Sequence, residues 1–181
     1  HFNDAELKRL AETGTGVCHC PISNMKLASG IARIPEMLKL GVRVGLAVDG
    51  SASNDGSNLL EELRTGFLLH RLNSSSAAPT GYDMLKIATR GSASILGRDD
   101  IGQIAEGMAA DFFMINMDRL SLTGAQFDVS SMLGTVGYKG NVDYTVVNGR
   151  VVVREGRLTG VDEEKITAEA NQSVTRYLGR S

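Results

Sequence analysis

An apolar run that ends abruptly in a carboxylate constrains the fold of this chain more than any other feature. Residues 44–48 read Val-Gly-Leu-Ala-Val, and Asp49 is followed by a loop-forming stretch of small and polar residues up to position 55. Such runs are typical of buried parallel strands. A charged side chain at the carboxyl end of a strand in a (β/α) barrel points into the active-site mouth. The run therefore predicts a functional role for Asp49, although an Asp here could instead cap a helix or turn the chain.

A second predicted strand that ends in a polar side chain lies earlier in the chain. Residues 16–18 lead into His19, and the apolar spacing of residues 34–40 predicts a short helix that ends at Gly41. Strand, helix and strand in this order form one right-handed βαβ step, whose two loops leave the same edge of a parallel sheet. We therefore expect His19 and Asp49 to face one common mouth.

Two cysteines flank this histidine. Cys18 and Cys20 are two residues apart, so on a strand their side chains share one face and His19 takes the other. The spacing does not suit a zinc knuckle. We expect both thiols to be reduced and to pack outward against helices, with His19 directed to the mouth.

The remaining elements are predicted as architecture. A helix should begin at Asn3 or Asp4, and an amphipathic helix over 58–72 should carry His70 at its surface or at an interface. A helix from Met84 to Leu96, capped by Gly81 or Asp83, should present small residues at 91–93. The later elements are two short strands over 101–107 and 110–116, a hairpin of strands 143–147 and 151–154 around Asn148-Gly149, and a last helix over 163–177. We expect Asp111 to be structural.

Composition excludes several classes of function. The formal net charge is −2, which gives no electrostatic footprint for nucleic acid or an anionic membrane. No apolar run approaches the roughly 20 residues of a membrane span. We expect a cytoplasmic protein that binds a small molecule.

Two motifs resemble the amidohydrolase superfamily. They are His-Cys-Pro-Ile-Ser-Asn-Met-Lys-Leu-Ala-Ser-Gly over residues 19–30 and Val-Asp-Gly-Ser-Ala-Ser-Asn-Asp over residues 48–55. The resemblance is to the branch of aminohydrolases and chlorohydrolases that act on N-heterocycles. The second motif and the segment 140–150 are most similar to the 8-oxoguanine deaminases of that branch.

The resemblance implies a fold and a domain division. The fold class is α/β: the C-terminal portion of a metal-dependent (β/α)8 hydrolase barrel plus part of a small β-sandwich domain. Residues 1–98 would supply the last strands and helices of the barrel, residues 99–158 part of the sandwich, and residues 159–181 a helix that packs back on the barrel. A closed barrel takes about 250 residues, so we expect the N-terminal part of the same protein to complete it. A homo-oligomer is also expected.

The resemblance also implies the chemistry. One divalent metal ion, zinc in preference to iron, would be held by Asp49 together with histidines that lie upstream of this sequence. Asp49 would be both metal ligand and catalytic proton carrier. The candidates for contact with the heterocyclic substrate are His19, Ser51, Asn54 and His1.

Three functions remain open from the sequence. The favoured one is hydrolytic deamination of 8-oxoguanine to urate with release of ammonia. The second is an s-triazine aminohydrolase or chlorohydrolase, or an adenosyl-nucleoside deaminase, on the same framework. The third is a noncatalytic binding protein that has lost its metal.

Overall fold

Two parallel strands lie at the centre of the first part of the chain. The computed structural model describes residues 2–179. Strand β1 spans Gly16–His19 and pairs in parallel with strand β2, which spans Arg43–Leu46. The loops that follow the two strands therefore leave from the same edge of the pair, as the βαβ pattern predicts.

Helices surround this strand pair. In chain order they are α1 (Asp4–Glu12), α2 (Pro21–Lys26), α3 (Ile34–Lys39), α4 (Leu59–Ser74), α5 (Gly81–Lys86), α6 (Ser92–Ile95) and α7 (Met132–Thr135). Short 3₁₀ turns occupy Ser75–Ala77, Leu120–Leu122 and Ala125–Asp128. The starts of α1, α4 and α5 are fixed by the side chains of Asn3, Asn58 and Thr80, each of which accepts a backbone N–H of the first turn. Within residues 2–179 no helix has the length and apolar character needed to cross a membrane.

Glycines let strand β2 approach the α5–α6 region closely. A π-helical stretch, Ile87–Gly91, joins α5 to α6. A Cβ at Gly91 would lie 2.0 Å from the carbonyl oxygen of Val44, and a Cβ at Gly45 would lie 2.8 Å from the Ile95 side chain. The small-residue face predicted at 91–93 is thus used for packing. The hydroxyl of Ser92 accepts the backbone N–H of Leu46 at 3.1 Å and so binds the strand edge that β1 leaves free.

The core of this part lies between the strands and helices α1, α3, α4 and α5. Its buried apolar side chains are Leu7, Ile34, Met37, Val42, Val44, Leu46, Leu63, Met84 and Ile87.

A separate four-stranded antiparallel sheet follows. Its strands are β3 (Phe112–Met114), β4 (Tyr144–Val147), β5 (Arg150–Arg154) and β6 (Arg157–Leu158), paired in chain order. Asn148 and Gly149 form the β4–β5 turn with positive φ angles of 47° and 77°, which confirms the predicted hairpin. The carboxylate of Asp111 accepts the Asn148 N–H at 2.5 Å, a structural contact. Helix α8 then spans Glu163–Tyr177.

The structure groups the chain differently from the predicted boundary near residue 98. Residues 2–109 form one compact unit with 116–140, and residues 110–115 form a second with 141–179. Segment 116–140 joins the first unit because its helix α7 packs against α4 and α5. The docking of the last helix on a barrel stays a prediction.

Two predicted elements are wrong in detail. Residues 101–107 form turns and irregular structure rather than a strand, in keeping with the two glycines at 102 and 107 that adopt positive φ. The helix predicted from Met84 begins earlier, because Thr80 and Asp83 form a reciprocal capping box.

Truncating a buried leucine of α4 should destabilise the fold much more than truncating an exposed one. Leu63 is 1% exposed and Leu72 is 87% exposed on the same helix. We expect Leu63→Ala to lower the free energy of unfolding by about 2–5 kcal/mol, because it leaves a cavity. Leu72→Ala should change it by less than about 0.5 kcal/mol. Urea unfolding of the full-length protein measures both, and equal effects would contradict the described packing.

Candidate active site

Asp49 lies just beyond the end of strand β2. The strand ends at Leu46, and the chain continues through Ala47, whose N–H donates to the carbonyl of His19 at 2.9 Å. Asp49 is exposed and adopts a left-handed φ of 64°. This conformation is uncommon for a residue other than glycine, and backbone strain of this kind gathers at functional sites. The position of Asp49 thus supports its interpretation as a functional residue.

Hydrogen bonds fix the Asp49 carboxylate in its charged form. The Ser23 hydroxyl donates to Oδ2 at 2.6 Å, and the Gly50 N–H donates to Oδ1 at 2.8 Å. These bonds, that from Ser23 first, hold the pKa of Asp49 below its usual value. Each oxygen retains a further lone pair, so the carboxylate is an anionic ligand with free acceptor capacity.

A buried polar group lies behind this loop. Glu62 of α4 and Asn54 are both buried, and the Asn54 amide donates to the Glu62 carboxylate. The same amide donates to the Val48 carbonyl at 2.8 Å, while the other Glu62 oxygen accepts the Ile22 N–H at 3.0 Å. Burial raises the pKa of the Glu62 carboxyl, and its two hydrogen bonds oppose that shift. Glu62 therefore connects the first turn of α2 to the loop that carries Asp49.

A second connection lies at the exposed end of α2. The Lys26 ammonium donates to the Asp55 carboxylate at 2.5 Å and to the carbonyl of Ala52 at 3.2 Å. This ion pair lowers the pKa of Asp55. Helix α2 thus contacts the Asp49 loop at both of its ends.

His19 does not face the side on which it was expected. The strand register puts its side chain on the same face as Val17, Val44 and Leu46, which helices cover. It is 1% exposed, and its Nε2 lies 3.1 Å from Nε2 of His70 on α4. The predicted orientation toward the mouth is wrong. Side chains alternate between the two faces of a strand, and His19 falls on the face that helices cover. A contact between His19 and substrate stays a prediction.

The cysteines occupy the opposite face. Cys18 is exposed and Cys20 is half-buried, so the expectation that the thiols pack against helices is wrong for Cys18. Burial, followed by the charges of Asp49 and Glu62, raises the pKa of Cys20 to about 11. Its thiol is protonated at neutral pH.

The two histidines form a buried neutral pair. We expected His70 at the surface or at an interface, and the surface position is wrong, because the side chain is fully buried against His19 of β1. One imidazole must donate its Nε2–H to the other, so the two rings hold opposite tautomers. Neither Nδ1 has a hydrogen-bond partner within residues 2–179. Burial, reinforced by the neighbouring ring, lowers the pKa of His19 to about 3, and burial lowers that of His70.

The other candidates for substrate contact fall in different places. Ser51 is exposed in the loop after Asp49. Asn54 is buried, and its Oδ1 also accepts the Gly56 N–H at 3.2 Å, so its amide is engaged within the chain. A substrate contact by Asn54 stays a prediction that requires these bonds to open. His1 lies outside the described residues.

Sequence reasoning missed the positions that hold Asp49. Ser23 and Glu62 were not assigned roles, and His70 was assigned to the surface or to an interface. Glu62 and His70 are eight residues apart in a predicted helix, with Gly66 midway, which places all three on one face. That spacing was the available signal.

One side chain of the described residues has the chemistry of a metal ligand. The Asp49 carboxylate suits a divalent ion, because it is anionic, exposed and fixed by two donors. Within the described range no three His, Cys, Asp or Glu residues are grouped as a metal site. Asp49 therefore fits the implied metal as a single ligand.

Comparison with known proteins identifies the family. Residues 1–152 match the amidohydrolase family. The chain is 45% identical over 180 residues to the hydroxydechloroatrazine ethylaminohydrolase of Pseudomonas sp. (strain ADP), covering 98% of this chain and 37% of that protein. It is 44% identical over 178 residues to the 8-oxoguanine deaminase of Pseudomonas aeruginosa, covering 98% and 39%.

A solved structure agrees with these relatives. The atrazine chlorohydrolase of Arthrobacter aurescens TC1, complexed with zinc, superposes with a TM-score of 0.89 at 34% identity, covering 95% of this chain and 38% of that one. The chain belongs to the amidohydrolase family and has part of its fold. It spans about two fifths of the length of these relatives.

The histidine pair should make stability depend on pH. Both folded-state pKa values lie below the ordinary histidine value of 6.5, so the unfolded chain binds more protons. Stability is then complete above pH 6.5 and falls as the pH drops toward the folded pKa. Between pH 7 and pH 5 each imidazole should remove at most about 2 kcal/mol from the free energy of unfolding.

Replacing one imidazole tests this dependence. His70→Asn should make the loss of stability between pH 7 and pH 5 shallower than in the wild-type protein, as measured by urea unfolding at each pH. An unchanged slope would show that the pair is not buried and neutral.

Proposed function

We propose that the protein containing this chain is a metal-dependent hydrolase that releases an amine from an aminated N-heterocycle. The observation that carries the proposal is Asp49, an exposed, hydrogen-bonded carboxylate in a left-handed conformation at the end of a parallel strand. Membership of the amidohydrolase family supports the reaction class. The remaining metal ligands would come from the N-terminal part of the same protein.

Asp49 has two tasks in this reaction. A divalent ion, when bound, lowers the pKa of water from 15.7 toward about 7, so that a hydroxide is available at neutral pH. The Asp49 carboxylate accepts the proton of the attacking water and later delivers it to the leaving amine. Its low pKa ensures that it begins the cycle ionised. Ser23 and Gly50 hold the carboxylate in one orientation during both transfers.

We propose 8-oxoguanine as the substrate. Water replaces the exocyclic amino group, and the products are urate and ammonia. The Ser-Ala-Ser-Asn-Asp-Gly loop at 51–56 and the 44% identity to an 8-oxoguanine deaminase support this choice. Ser51 is exposed beside Asp49 and is available to contact the heterocycle.

A triazine substrate is the second candidate. It is favoured by the 45% identity to an ethylaminohydrolase of hydroxydechloroatrazine. Both candidates share attack of water on a ring carbon that carries an amine, so the hydrogen-bonded carboxylate of Asp49 serves either substrate.

Removing the charge of Asp49 should abolish both metal binding and turnover. In the full-length protein we expect Asp49→Asn to fold, to bind zinc at least tenfold more weakly and to lose turnover by orders of magnitude. Zinc titration against a chelator, together with ammonia release, measures these effects. Near-normal turnover in this variant would refute the proposed role, and a wild-type protein without metal or turnover would favour a noncatalytic binding protein.

Competing-substrate kinetics should distinguish the heterocycles. 8-Oxoguanine has a carbonyl and an N–H on its five-membered ring that guanine lacks. A site that hydrogen-bonds these groups keeps a buried polar group unpaired when guanine binds. The unpaired group costs about 1–3 kcal/mol, or roughly 5- to 150-fold in kcat/KM. We expect 8-oxoguanine to exceed guanine by such a factor, and both to exceed triazines and adenosyl nucleosides. A preference for a triazine or an adenosyl nucleoside would contradict the choice of 8-oxoguanine and favour that compound as the substrate.

A further inference from the structure

One face of helix α4 contacts the segment that leads from β1 into α2. Glu62, Gly66 and His70 recur at intervals of four residues and are all buried. Glu62 accepts the N–H of Ile22, and His70 contacts His19. This face therefore fixes both ends of segment 19–22, which immediately precedes Ser23.

The middle position lies beside that segment. A Cβ at Gly66 would lie 3.5 Å from Cγ of Pro21, an ordinary van der Waals contact, and 2.7 Å from Cε of Met84 on α5. The absence of a side chain at Gly66 thus permits α4 to pack closely against Met84.

Burial of the Glu62 carboxylate is energetically unfavourable. This carboxylate is fully enclosed, and within residues 2–179 it is held by the Ile22 N–H and the Asn54 amide rather than by a Lys or Arg. A buried charge without a cation is destabilising unless its hydrogen bonds are well placed. The segments that these two bonds connect therefore decide what role Glu62 has.

Both bonds of Glu62 lead to a neighbour of Asp49. One fixes Ile22, and the next residue, Ser23, donates to the Asp49 carboxylate. The other fixes the Asn54 amide, which donates to the carbonyl of Val48, the residue before Asp49. The side chain and the backbone of Asp49 are thus both connected to one carboxylate.

We propose that Glu62 is a positioning residue that orients Asp49 for metal binding, through Ile22 and Ser23 on one side and Asn54 and Val48 on the other. The inference rests on the proposed function, in which Asp49 is the metal ligand. Glu62 does not touch the substrate or the metal in this account. Its loss should therefore weaken metal binding and lower kcat, with little change in KM.

The isosteric variant Glu62→Gln tests the inference in the full-length protein. If the new amide accepts the Ile22 N–H through its oxygen, its NH₂ group must face the NH₂ group of Asn54, so one connection is lost. We expect zinc to bind at least tenfold more weakly, a size typical of residues that support metal ligands. Titration of the metal-free protein with Zn²⁺ against a chelator measures this without reference to activity.

Glu61→Gln is the matched control. Glu61 is the preceding residue on the same helix and is exposed, so the control removes one carboxylate charge without breaking any hydrogen bond that connects Glu62 to Asp49. Its zinc affinity and kcat should equal those of the wild type. If Glu62→Gln also binds zinc as the wild type does, the positioning role is overturned.

Two further outcomes separate the possible failures. If Glu62→Gln does not fold, Asn54→Ala carries the test, because it breaks the loop side of the same network, and normal zinc affinity in that variant overturns the inference. A wild-type protein that binds zinc but releases neither ammonia nor an alkylamine from any of the heterocycles contradicts the proposed function, while the zinc affinities of the variants still decide the role of Glu62.

Discussion

The buried carboxylate of Glu62 is the constraint on which the arrangement of this site depends. It lies on helix α4, yet its two oxygens are bound by the first turn of α2 and by the loop after β2. Parallel pairing of β1 and β2 brings those two segments to one edge, but pairing alone does not orient a side chain. The carboxylate fixes the positions of the two segments relative to each other, because it accepts one directional hydrogen bond from each of them.

Asp49 is prepared for its role by opposing influences. Its left-handed φ is unfavourable for a residue with a side chain. The bonds from Ser23 and Gly50 compensate by stabilising the carboxylate in its ionised form. In the proposed function, a carboxylate fixed in this way would need little rearrangement on binding a cation.

Much of the secondary structure could be predicted from the sequence, but the face on which each side chain lies could not. The strand that precedes Asp49, the Asn148-Gly149 hairpin and the limits of the last helix follow from patterns of apolar and turn residues. His19 was placed on the wrong face because a strand of four residues has no apolar alternation strong enough to show which side helices cover. His70 was assigned to the surface or to an interface because its partner, a second neutral imidazole, lies 51 residues away in the chain. Long-range polar pairs of this kind leave no local pattern.

The most direct measurement is the anomalous scattering of zinc in crystals of the full-length protein. We expect a zinc ion with an Asp49 carboxylate oxygen at about 2.0–2.2 Å. We also expect the Ser23 hydroxyl to keep its bond to the same carboxylate and Glu62 to remain bound to Ile22 and Asn54. A zinc ion coordinated without Asp49, or an Asp49 side chain turned away from Ser23 when zinc is bound, would refute the proposed roles of Asp49 and Glu62.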